Sequence, residues 1–237
     1  MVTLYWAGQY AAVFLGYYLL MFLWPSVVFR RYLCGKGKLY HFSFCITVQI
    51  VLINTAILGM GLLGVLNRWT VLLIMYGIPI LSLLKGISRE DILRPFDYIY
   101  RLSTGACGIR TFFGEARKAL ARGLKKWCKK LWGILKPHLI EYFILFVVMI
   151  YGMAYFSYGT FQDYSYGSGD IYVHHAWIQG LINGKIFSGG IYPEGMHCFV
   201  YCLHTLFGIR VYSILLFLNG IHISPWLPLS GNWTLWE

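Results

Sequence analysis

Long apolar runs alternate with short polar ones along this chain. Residues 1–29, 39–67 and 142–162 contain no Lys, Arg, Asp or Glu, and each exceeds the roughly 20 apolar residues that carry a helix across about 30 Å of hydrocarbon. Three shorter windows, residues 69–84, 195–209 and 211 to about 229, are equally free of charge. The pattern predicts an all-α fold: a polytopic transmembrane helix bundle of about six spans. It also divides the chain into a three-span segment at residues 1–85, a basic loop at 86–137 and a segment at 138–237 that carries a polar loop at 159–194.

Inside the basic loop the periodicity changes character. Leu120, Leu124, Trp127, Leu131 and Leu135 recur at helical spacing, with Arg117, Lys118, Arg122, Lys125, Lys126, Lys129 and Lys130 between them. This predicts a basic amphipathic helix over residues 117–135 lying in the membrane interface. Its Trp and Leu side chains would enter the acyl boundary and its lysines meet anionic lipids, at about 1 kcal/mol for each basic residue near the surface.

Composition agrees with the pattern, since 58% of residues are hydrophobic and 12% charged, against about 25% charged in ordinary globular chains. The net charge of +11 raises the question of nucleic acid, and its distribution answers it. Eighteen of the twenty basic residues fall in alternate loops on one side of the predicted spans, leaving Arg68 and Lys185 opposite. That is the asymmetry of a membrane protein with its basic loops in the cytoplasm, not of a nucleic-acid surface. It predicts a cell-membrane location with the N-terminus and the 159–194 loop outside and the 86–137 loop inside. The start, MVTLYWAG, lacks a basic leader region and reads as a retained span.

The six cysteines fall in predicted spans or on the cytoplasmic side and suggest no oxidised framework. Cys198 and Cys202, one turn apart, read as buried free thiols. The glycines of residues 59–64 (GMGLLG) read as a site of close helix packing.

The polar island from Asp163 to His197 holds three carboxylates and three histidines between apolar runs, where ionisable groups are costly and therefore informative. Gly167-Ser168-Gly169 turns the chain, and Asp170 suits a helix start. Asp170, His174, Trp177 and Leu181 then share one face of a short helix over residues 171–185, predicted to lie on the outer membrane surface and to end at Gly189 and Gly190. His175 projects about 100° away, which favours His174 over it. Asp170 is the candidate base, with His174 one turn on to orient it. Asp163 and Asp170 are candidate oxygen ligands for a divalent cation, Mg or Mn. Glu194 suits the first turn of the next helix, where an acid complements the dipole. His197, one turn further, faces the island. His204 and His222 read as packed or partnered residues.

A span, an outer loop with an acid, a juxtamembrane helix and a Tyr192-Pro193 return into the bilayer resemble the start of the GT-C superfamily of membrane glycosyltransferases. The similar region runs from about His138 to Ser224, with Asp170 in GDIYVHHAWIQGL similar to the family's loop acid. The resemblance implies transfer of a sugar from a polyprenyl-phosphate donor at the extracytoplasmic face, with Lys185, Tyr192, Glu194 and His197 as substrate-binding candidates. Because GT-C enzymes usually have more spans than six, the resemblance leaves three alternatives: the N-terminal part of a longer enzyme, a truncated product, or a small relative that lacks transferase activity. The competing expectation is a non-enzymatic membrane scaffold or assembly subunit whose outer loop binds a partner. An integral metalloprotease is disfavoured by the absence of an HExxH pattern.

The predicted orientation has a direct check. In a background without the six native cysteines, a membrane-impermeant maleimide should label Lys185→Cys in intact cells and leave Lys125→Cys unlabelled until the membrane is opened. The reverse pattern would invert the topology.

Overall fold

The computed structural model describes residues 2–85, 114, 117–118, 121–126, 128–129, 132–133, 136–165, 169–190 and 194–223. All regular structure among these residues is helical. Two compact units are distinguished, residues 1–83 with 148–237 and residues 84–147.

In the larger unit, α1 (Val2–Tyr18) runs through a π turn (Leu19–Leu23) into α2 (Trp24–Val28). Pro25 explains the wide turn: a proline nitrogen cannot donate to the preceding turn, and the backbone closes instead from Trp24 N–H to the Leu19 carbonyl. A short α3 (Arg30–Leu33) leads to the straight α4 (Lys38–Leu62) and then to α5 (Arg68–Leu84). Helix α5 lies against the end of the first span through polar contacts. The Trp24 indole donates to the Met75 carbonyl at 2.6 Å, and the Arg30 guanidinium donates to the Ser82 carbonyl at 3.0 Å. After α6 (Leu139–Asp163) come α7 (Ile171–Ile182), α8 (Gly195–Phe207) and α9 (Val211–Ile223).

Three helical stretches are long and apolar enough to cross a membrane: Leu4–Val28, Leu39–Leu62 and Leu139–Asp163. The windows predicted as fifth and sixth spans form two helices of 13 residues each, bent by 119°. At 1.5 Å per residue each covers only about 20 Å, so over the described residues the pair reads as one broken span or a loop that dips into the bilayer. The turn at Gly208, with φ +67, and its N–H bond to the His204 carbonyl set the bend. Helix α5 has 17 residues, with Pro79 inside it. Among the described residues three to four spans are legible.

Helix α8 is the centre of the unit. It packs against α4, α7, α9 and α1, and Cys198, Val200, Cys202 and Leu203 are fully buried. Glycines permit the closest approaches. A Cβ on Gly61 of α4 would collide with Ile186, one on Gly220 of α9 with Ser157 of α6, and one on Gly16 of α1 would crowd Leu203, Phe207 and Ile209. The predicted packing role of the 59–64 glycines thus falls on Gly61, which receives the chain beyond α7.

In the smaller unit, residues 117–118, 121–126, 128–129 and 132–133 are helical and exposed, Leu124 and Trp132 included. Leu120, Trp127, Leu131 and Leu135 of the predicted amphipathic face lie outside the residues whose side chains are described. A 3-10 turn at Lys136–His138 holds Pro137 ahead of the helix that follows, where the sequence predicts a break.

Gly61→Leu should overpack the contact with Ile186 and cost about 1–3 kcal/mol. The check is thermal unfolding in detergent micelles, where Ile186→Ala in the same chain should recover most of the loss. No recovery would mean that Gly61 is required for another reason.

Candidate functional site

The polar loop at residues 159–194 is built from its local sequence. Helix α7 starts after Gly169, whose φ of +129 is closed to most side chains. It ends at Asn183-Gly184, earlier than the predicted Gly189-Gly190. Gly184 takes φ +75, its N–H bonds the Leu181 carbonyl at 3.0 Å, and Lys185 N–H bonds the Gly180 carbonyl at 2.9 Å. This paired closure, with a left-handed residue just past the helix, satisfies the last carbonyls of α7.

Gly189 and Gly190 act in the turn that follows instead. A Cβ on Gly189 would collide with the Trp177 indole nitrogen, and one on Gly180 with Ser188. The turn therefore lies tightly along α7, and Phe187, at φ +53, directs its N–H to the Glu194 carboxylate Oε1 at 3.0 Å.

Glu194 sits at the N-cap position of α8 and is 5% exposed. Its side chain makes no bond to the first turn of its own helix. Glu194 thus stands at the helix N-terminus where the sequence placed it and, in addition, clamps the turn after α7. Oε2 is buried with no hydrogen-bond partner among the described residues. Burial pushes this carboxyl above its ordinary value of 4.5, against the lowering effect of the Phe187 N–H.

His197, 1% exposed in the first turn of α8, bonds through Nε2 to Nδ1 of His174 at 2.9 Å. Trp177, one turn beyond His174, stands edge-on to both rings, with centroids 5.6 Å from His174 and 5.1 Å from His197. The face predicted to carry Asp170, His174, Trp177 and Leu181 runs from solvent to core in that order. Asp170 is exposed, His174 and Trp177 are half-buried, and Leu181 is buried. His175 turns away to Gln179 at 3.2 Å, as its position on the helix predicts.

The structure thus joins His174 to His197 rather than to Asp170. Asp170 occupies the N-cap position with helical dihedrals and makes no side-chain cap bond; its carbonyl alone accepts from His174 N–H at 3.0 Å. Asp163 ends α6 and is exposed, and Lys185 is exposed in the turn after α7. Tyr192 and Pro193 lie outside the described residues.

Among the described residues no group of three His, Cys, Asp or Glu side chains could hold a metal ion. Asp163 and Asp170, the predicted oxygen ligands, are both exposed, and two carboxylates with water and a substrate phosphate are the usual donor set for Mg. Cys198 and Cys202 are buried free thiols. His204 bonds the Ile209 carbonyl at 2.8 Å and His222 the Tyr17 hydroxyl at 2.9 Å, so both are partnered as the sequence suggests.

No family profile, characterised protein or solved structure matches the chain. Any assignment of function rests on the residues themselves.

Glu194 supplies a pH test. A carboxyl whose folded-state pKa lies above its unfolded value favours the folded state below the unfolded pKa, and loses that advantage as pH rises through the folded value. The α7–α8 contact should accordingly weaken as pH rises above 4.5, the ordinary value. Glu194→Gln keeps an acceptor for Phe187 N–H and should flatten the profile, read as amide hydrogen exchange across residues 171–200. Parallel profiles in the two proteins would exclude buried ionisation of Glu194 as the cause.

Proposed function

We propose that the chain is a membrane glycosyltransferase of the GT-C type, or the N-terminal part of one. It transfers a sugar from a polyprenyl-phosphate donor to an acceptor at the extracytoplasmic face. The observation that carries this reading is the bond between His174 and His197. It ties the helix that begins at the loop acid to the helix that returns toward the apolar core, which supports reading the start of α7 and the start of α8 as parts of one site.

In this reading Asp170, exposed at the start of α7, takes the proton of the acceptor hydroxyl while the phosphate leaves the anomeric carbon. His174, one turn away, orients the acceptor. Lys185 and Tyr192 contact the donor, with Lys185 meeting the phosphate, and Glu194 and His197 shape the substrate side of the site. A divalent cation, Mg or Mn, held by Asp170 with Asp163 and the donor phosphate, would neutralise the leaving group. Six spans, α7 resting on the outer interface, an N-terminus outside and a basic helix at residues 117–135 docked on anionic lipids complete the proposal. The orientation is supported by the placement of eighteen of twenty basic residues.

Transfer from a polyprenyl-linked sugar should be measured in membranes carrying the chain within its complete reading frame. Asp170→Asn should lower the rate by about 100-fold or more, the scale of a lost general base, and His174→Ala by a smaller factor. Unchanged transfer in both variants would remove the site assignment. No transfer by the unaltered protein would favour a scaffold whose outer loop binds a partner.

A further inference from the structure

The bond between His174 and His197 links residues 23 positions apart, and its geometry constrains what the pair can do. The bonded nitrogens are 2.9 Å apart and the ring centroids 5.1 Å apart. That centroid separation is close to the nitrogen distance plus the reach of each ring, so both nitrogens lie near the line joining the rings. Two ligands of one metal ion would converge at an angle on a third point. A head-on approach is that of a hydrogen bond, with one ring offering N–H and the other a lone pair.

Such a bond survives when both imidazoles are neutral and when one of them is cationic. It does not survive two protons, because both facing nitrogens would then carry hydrogen and both rings positive charge. We propose that His197 is a positioning residue for His174. The two rings bind one proton as a unit, and their bond holds the His174 ring with Nδ1 committed to α8. This deepens the reading above, on which the part played by His174 in the site rests.

The surroundings favour a shared proton over two separate ones. Trp177 stands edge-on to both rings and His197 is 1% exposed, so a second positive charge would have little water to stabilise it. The other titratable groups nearby are Glu194 and Cys198 on α8, Asp170 and His175 on α7, and Lys185 in the turn between the two helices. Of the helices that pack on α8, α4 contributes the buried Cys45, while α1 and α9 contribute Tyr17 and His222, which bond each other at 2.9 Å.

The test is a histidine-ring NMR titration of the whole chain in micelles, with resonances assigned by single substitutions. In the unaltered protein the rings of His174 and His197 should shift together, in one step worth one proton, over about pH 8 to 5. His197→Phe should abolish the joint step, so that the His174 resonances change without a partner ring. Should His197→Phe fail to fold, His197→Gln retains a carbonyl that accepts from His174 Nδ1. It should preserve the His174 tautomer while removing the shared step. Two independent one-proton steps in the unaltered protein, or a His174 titration unchanged in the variant that folds, would overturn the proposal. No substrate is needed, so this result is independent of whether Asp170 proves essential to sugar transfer.

Discussion

A helix buried on nearly every side leaves its polar groups only protein to bond with. Helix α8 is in that position, walled in by α4, α7, α9 and α1, and its start carries Glu194 and His197. An unmet buried hydrogen-bonding group costs about 1–3 kcal/mol, so the chain before α8 is drawn into shape around these two side chains. The turn after α7 presents Phe187 N–H to Glu194, and α7 presents His174 to His197. Gly180 and Gly189 are the sequence's concession to that closeness, because a Cβ at either would collide with Ser188 or Trp177. The outer loop is thereby folded onto the helices instead of being left as a solvated connection.

The same constraint separates the polar residues by role. Those drawn inward, Glu194, His197 and partly His174, hold the loop and define a rigid edge. Asp170 stays exposed at the start of α7, accessible as the proposed base role requires. Asp163, at the end of α6, is exposed as well, so two of the island's three carboxylates stay accessible while the third is buried.

Much of this was legible in the sequence, and the failures have physical reasons. Charge-free runs located the long apolar helices, and helical spacing correctly put His174 and Trp177 on one face with His175 turned away. The pairing of His174 with His197 could not be read, because spacing reports neighbours on one helix and these residues meet across two. The sequence placed Glu194 at the start of α8 but could not show that the Phe187 N–H folds back to it. The end of α7 was placed at Gly189-Gly190 although Asn183-Gly184 carries the stop, since two competing glycine signals lie close together. The count of six spans treated the windows at 195–209 and 211–229 as separate crossings. Absence of charge cannot distinguish a full crossing from two short helices bent by 119° at Gly208.

The central claim is that the frame built around α7 and the start of α8 receives a lipid-linked sugar. The most direct measurement is photo-crosslinking with a polyprenyl-phosphate sugar analogue bearing its reactive group on the sugar, followed by mass spectrometry of the labelled peptides. The account predicts label concentrated on the peptide spanning residues 169–190, competed away by unmodified donor. Label confined to residues 39–84, or label that excess donor does not displace, would contradict it.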